Sequence, residues 1–173
     1  MLPYARQPGP QTTQSFDEQP LLPPFPHHRG VGLGAAAAYT AFCHDHRPVY
    51  EQYAGAVTGS TPCGLILAHE ALRELAAQWP AAQRGAGPCV LGWSLLRATT
   101  APSRTSTVRT LQRNLSAREA DALVLHYRLG LTAQRGGCAM GVSPSAFELL
   151  RRIALRRAAD LDWGGHMPVS DAL

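Results

Sequence analysis

At 173 residues, 45% of them hydrophobic, the chain suffices for one compact domain or two small ones. It has no apolar run near the ~18–20 residues of a membrane span, and its opening residues are broken by prolines without an apolar leader stretch, so a cytoplasmic protein is expected. The net charge of +4 contains no lysine and is uneven: ten arginines face three acids between Arg104 and Arg157, and six face nine elsewhere. That asymmetry suits a nucleic-acid reader joined to a protein-binding module.

Residues 1–34 hold seven prolines and four glycines with few large apolar residues, and read as a disordered tail. From Ala35 the pattern changes. Four alanines favour helix, and Tyr39, Phe42, His46, Val49, Tyr50, Tyr53 and Val57 recur at three and four residues, predicting an amphipathic helix over 35–57 with Pro48 as a point of kinking. After the turn at Gly59 to Pro62, a second helix is predicted over 63–79, ending near Trp79-Pro80. A Gly- and Pro-rich loop covers 80–88. A third helix, 88–98, carries Val90, Leu91, Trp93, Leu95 and Leu96. Three such helices predict a small all-α bundle over 35–98. The polar, proline-bearing stretch that follows reads as a linker, 99–112.

The last third is the most specific. Ser116 with Glu119 three residues on is a capping box. Ala120, Leu123, Val124 and Tyr127 give 117–128 one apolar face, and Gly130 ends that helix. A short helix over 132–140 is closed by Gly141, and Ser143-Pro144 opens a third, Arg-rich helix with its cap at Ser143 and proline at its first position. Helix, tight Gly turn, Arg-bearing helix are the parts of a helix-turn-helix over 113–161, whose second helix lies in the DNA major groove. A tail over 162–173 follows.

From Leu115 to Leu161 this stretch resembles the promoter-reading C-terminal domain of extracytoplasmic-function sigma factors: Leu115-Ser116-Ala117-Arg118-Glu119, then Ala122-Leu123, Gly130-Leu131-Thr132, and Gly141-Val142-Ser143-Pro144. LuxR-type response-regulator tails share much of the pattern. The bundle is similar to the same family's polymerase-binding domain through Ala41 to Tyr50, and through Leu67-Ala68-His69-Glu70-Ala71-Leu72, which stands where the family has its clamp-binding acidic helix. The resemblance implies two small helical domains joined by a linker. It places Arg118, Arg135, Ser143, Ser145, Arg151, Arg152 and Arg156 near promoter DNA. It sets Leu67, Glu70, Arg73 and Glu74 against RNA polymerase core, and it allows an anti-sigma or other sigma-related partner.

The sequence departs from that pattern at informative places. Ile66 replaces an Asp, Gly136-Gly137 replace an apolar residue and an Ala, Glu148 replaces a Lys or Arg, and Leu149-Leu150 replace a Ser and an Arg. Two interior glycines predict a soft helix, and a Glu facing phosphates repels them. Three functions therefore stay open: a sigma-like transcription regulator, a sigma-derived interaction module that no longer reads DNA, and a stand-alone LuxR-like regulator. No enzyme is indicated. Ser116 and Ser143 are explained as caps rather than nucleophiles. Cys43, His44, Asp45, His46 and His69 read as core or surface side chains rather than a metal site. Cys43, Cys63, Cys89 and Cys138, without a Cys-x-x-Cys pair, read as free thiols. No cofactor is implied.

Overall fold

A computed structural model describes residues 33–160; the expected tails 1–34, apart from its last two residues, and 162–173 lie outside the described residues. The architecture is all-α, with no strand among the described residues. Eight α-helices follow in order among the described residues: α1 Leu33–Thr58, α2 Thr61–Ala77, α3 Trp79–Arg84, α4 Pro88–Thr100, α5 Ser106–Asn114, α6 Ala117–Leu123, α7 Ala133–Met140 and α8 Pro144–Asp160. A 3-10 turn, Ala101–Ser103, follows α4, and a π-helical turn, Val124–Arg128, follows α6.

The apolar positions of α1 fall where helical periodicity puts them: Tyr39, Phe42, His46, Val49, Tyr50, Tyr53 and Val57 are all buried. Pro48 lies on the exposed face, where its missing N–H costs the core nothing, and the helix continues across it. Aromatic edges fill the interior. Trp79 meets Tyr39 and Phe42 at centroid distances of 5.3 and 5.5 Å, and Trp93 meets Tyr50 and Tyr53 at 5.8 and 4.6 Å. Such pairs add to the apolar burial itself.

Where α1 crosses α2, glycine sets the spacing. A Cβ placed on Gly64 would stand 2.3 Å from the Gly55 nitrogen and 2.6 Å from its Cα. Backbone cannot step aside as a flexible side chain can. Gly64→Ala is therefore expected to cost about 1–3 kcal/mol through overpacking, read as a lower denaturation midpoint with an unchanged m-value.

Two helices occupy segments the sequence presents as irregular. Trp79-Pro80 starts α3 instead of ending structure, because a proline in the first turn forfeits an N–H that has no helical partner anyway, and Trp79 is anchored in the core. Within 99–112, Thr105 caps α5 by accepting from the Val108 N–H at 3.4 Å, and Val108 is buried. The same stretch is tied down by Arg104, which is buried and donates to Gln112 Oε1 at 2.8 Å and to the Arg97 carbonyl at 3.0 Å. The Thr105 N–H donates to the Val57 carbonyl at 2.9 Å.

Much of the buried apolar surface of 113–161 joins the core of 35–98, while Leu115, Ala120, Leu123 and Ala154 form a smaller cluster of their own. Val108, Ala122, Val124, Leu125, Leu131, Ala139, Met140 and Phe147 belong to the same cluster as Tyr39 to Leu96. Asp121 of α6 is the polar tie within it. Its carboxylate accepts from the Tyr53 hydroxyl at 2.6 Å and from the Trp93 indole at 3.1 Å, and Arg97 Nε lies 3.0 Å away. Burial raises the Asp121 pKa against the pull of Tyr53, Arg97, Trp93 and Arg104, while burial lifts the Tyr53 hydroxyl well above 10, keeping it a donor.

Candidate nucleic-acid interface

The C-terminal unit is a trihelical arrangement of α6, α7 and α8, with α8 packed on both others. The capping box is complete: Ser116 Oγ accepts from the Glu119 N–H at 3.3 Å and Glu119 accepts from the Ser116 N–H at 2.8 Å. The helix expected over 117–128 is α-helical only to Leu123. It then widens, the Leu129 N–H reaching the Val124 carbonyl at 3.2 Å, five residues back. That turn keeps Val124 and Leu125 buried and delivers Tyr127 and Arg128 to solvent.

The joint between α7 and α8 is built on glycine. Gly141 closes α7 at φ +69, the left-handed region that glycine enters without a Cβ penalty. Ser143 Oγ accepts from the Ala146 N–H at 3.1 Å, so Ser143 caps α8 ahead of Pro144. Gly136 and Gly137 are not weak points of α7. A Cβ on Gly136 would stand 2.5 Å from the Phe147 ring, and one on Gly137 would stand 2.8 Å from the Val142 carbonyl oxygen. Both glycines let α7 lie directly on the turn and on the buried Phe147 of α8.

The candidate DNA residues sort by their partners. Arg118 at the start of α6, Arg135 in the first turn of α7 and Arg156 in α8 are exposed, with no acidic partner among the described residues. Ser143 and Ser145 are exposed, their hydroxyls 3.0 Å apart. Arg151 is different: it holds Glu148 through Nε and Nη2 and donates from Nη1 to the Tyr127 hydroxyl at 2.8 Å, leaving its side chain 18% exposed. Arg152 is 66% exposed but also reaches Glu148, Nε to Oε1 at 3.2 Å. Arg157 pairs with Glu119 at 2.8 Å, joining the end of α8 to the cap of α6. Hydrogen bonds from Arg151, then from Arg152, hold the Glu148 carboxyl down at about 2, so the clamp stays charged near neutrality.

Glu148 is more than a charge that repels phosphates: it engages two arginines. The signal was legible, because a Glu three and four residues before an Arg shares its helix face. Tyr127, expected on the apolar face of 117–128, is instead 51% exposed, and Arg128 beside it is exposed as well. They sit at the π-helical turn, which the plain 3.6-residue period does not anticipate.

On α2 the candidate partner residues form an outer face. Leu67 is half-buried, Glu70 and Arg73 are exposed and 3.9 Å apart, and exposed Glu74 accepts from Gln78 Nε2 at 2.7 Å. Ile66, 68% exposed, and Leu65 adjoin them. No helix among the described residues is long and apolar enough to cross a membrane. Comparison with protein-family models, with curated proteins and with solved structures finds no match for this chain.

Proposed function

We propose that the protein is a cytoplasmic, sigma-factor-like transcription regulator. Its α7–turn–α8 unit docks on promoter DNA, and the outer face of α2 binds RNA polymerase core or a sigma-related protein. The observation that carries the DNA half is the unit of α6, α7 and α8, which presents Arg118, Arg135 and Arg156 to solvent without acidic partners among the described residues. Arginines so placed suit phosphate contacts, which set affinity and orientation more than sequence.

Glu148 limits this interface. Glu148→Gln is expected to release Arg151 and Arg152 and to remove a negative charge from the DNA-facing side of α8. The measured slope of log affinity against log salt should grow in magnitude by roughly one to two, one phosphate contact per freed arginine. An unchanged slope would mean that α8 does not face the phosphates.

A second reading has its own observation. Leu149, 59% exposed on α8, adds apolar surface where a DNA reader gains nothing from it, and suits a protein groove. Capture of core polymerase by the full chain, run beside a DNA mobility-shift assay, separates the readings. Both signals support the regulator. Capture without a shift supports the interaction module, and a shift without capture supports a stand-alone DNA-binding regulator.

A further inference from the structure

We propose that Cys89 and Cys138 are a modification site: a peroxide converts them to a disulfide, with His46 taking the Cys89 proton, and the bridge fastens α7 to α4. The crossing of these helices brings the residues together. A Cβ on Gly141 would stand 2.6 Å from Val90 Cγ2, 2.7 Å from the Val90 nitrogen and 3.0 Å from its Cα, so the two backbones touch there. Cys89 directly precedes Val90. Cys138 lies one turn before Gly141, whose N–H donates to the Cys138 carbonyl at 3.2 Å. A disulfide asks for Cα atoms about 4.4–6.8 Å apart, and each cysteine lies within three residues of the Gly141–Val90 contact. The Cys138 thiol also adds to the upward push on the pKa of both Cys89 and Tyr50, so these groups lie within electrostatic range of one another.

The two thiols differ as attacking and resolving sulfurs do. Cys138 is exposed and meets the oxidant first; Cys89 is half-buried. His46 Nε2 lies 3.7 Å from Cys89 Sγ, and the ring is stacked on Phe42 at 4.2 Å. Burial lowers the His46 pKa, which keeps the ring neutral and a nitrogen lone pair free for the thiol proton. Cys43 is buried and bonded with Tyr39, and Cys63 belongs to the first turn of α2. Among the described residues no three metal-ligating side chains converge to hold an ion.

The chemistry balances. The Cys138 thiolate attacks one oxygen of hydrogen peroxide; the O–O bond breaks, the second oxygen leaves as water with the thiol proton, and Cys138 becomes a sulfenic acid. Cys89, its proton passed to His46, attacks the sulfenic sulfur. The S–S bond forms, the S–O bond breaks, and the leaving hydroxide takes the proton from His46 as water. Two thiols lose two electrons and one peroxide becomes two waters. A thiol reductant reverses the bridge.

The test treats the full chain with hydrogen peroxide and maps the peptides by mass spectrometry. The expected product is an intrachain Cys89–Cys138 peptide that dithiothreitol removes. It should persist in Cys63→Ser and vanish in both Cys89→Ser and Cys138→Ser. In Cys89→Ser a dimedone-trapped sulfenic acid should build up on Cys138, which requires no change in folding to read. In His46→Gln closure should slow on the order of 100-fold, with the same sulfenic acid accumulating. Oxidation of Cys138 to sulfinic acid while Cys89 stays a free thiol, a bridge through Cys63 or between chains, or an unslowed His46→Gln would overturn the proposal.

Discussion

Asp121→Ala is expected to cost about 3–5 kcal/mol, the loss that follows when one partner of a buried charged network is removed. The Asp121 side chain is 1% exposed and meets groups from two other helices: Tyr53 of α1, and Trp93 and Arg97 of α4. Alanine leaves a hydroxyl, an indole N–H and a guanidinium facing an apolar gap. Chemical denaturation of the variant beside the parent reads the loss directly. Asp121→Asn keeps an acceptor for the tyrosine and should cost less. The pH profile gives an independent check. Because burial raises the folded pKa above the ordinary 3.8, the unfolded chain releases this proton first as pH climbs. Stability contributed by Asp121 is therefore fully present below 3.8 and falls as pH rises through the folded value. Asp121→Asn should remove that component of the slope.

Phe147→Ala is expected to lose about 3–5 kcal/mol as well, through the cavity left by a fully buried aromatic ring. The ring lies against Gly136, where any added Cβ would stand 2.5 Å from it. The two positions should thus be strongly non-additive. Gly136→Ala alone destabilises by overpacking, whereas in the Phe147→Ala background the added methyl enters the vacated space and recovers part of the loss. Equal effects of Gly136→Ala in both backgrounds would show that the ring and the glycine do not meet. Because Phe147 locks α8 onto α7, its loss should also weaken any binding that depends on the joint.

The sequence carried much of the fold and less of the interface. Tyr39, Phe42, Tyr50 and Tyr53 announce α1 because a long amphipathic stripe has few competing explanations, and Ser116-Glu119, Gly141 and Ser143-Pro144 mark helix ends by local chemistry alone. What failed to show was decided over long sequence distances. Polar 99–112 reads as a linker until Arg104 is seen donating to the Arg97 carbonyl and Gln112. Trp79-Pro80 reads as a stop until Trp79 is found against Tyr39 and Phe42. Asp121 sits among alanines and leucines with no nearby hint of Tyr53, 68 residues away. Gly136-Gly137 read as a propensity penalty because the Phe147 ring that requires them lies on another helix. Arg151 counted as a free charge until its bonds to Glu148 and Tyr127 were placed.

The central claim is that folded α6, α7 and α8 bring arginines to the phosphates of a DNA duplex. Titration of the full chain with a mixed-sequence duplex between roughly 50 and 200 mM salt tests it most directly. With Arg118, Arg135 and Arg156 on phosphates, log affinity should fall against log salt with a slope of about −2.7. Arg135→Ser combined with Arg156→Ser should bring the slope nearer zero by roughly 2. Binding that ignores salt, or a slope those substitutions leave untouched, would contradict the account.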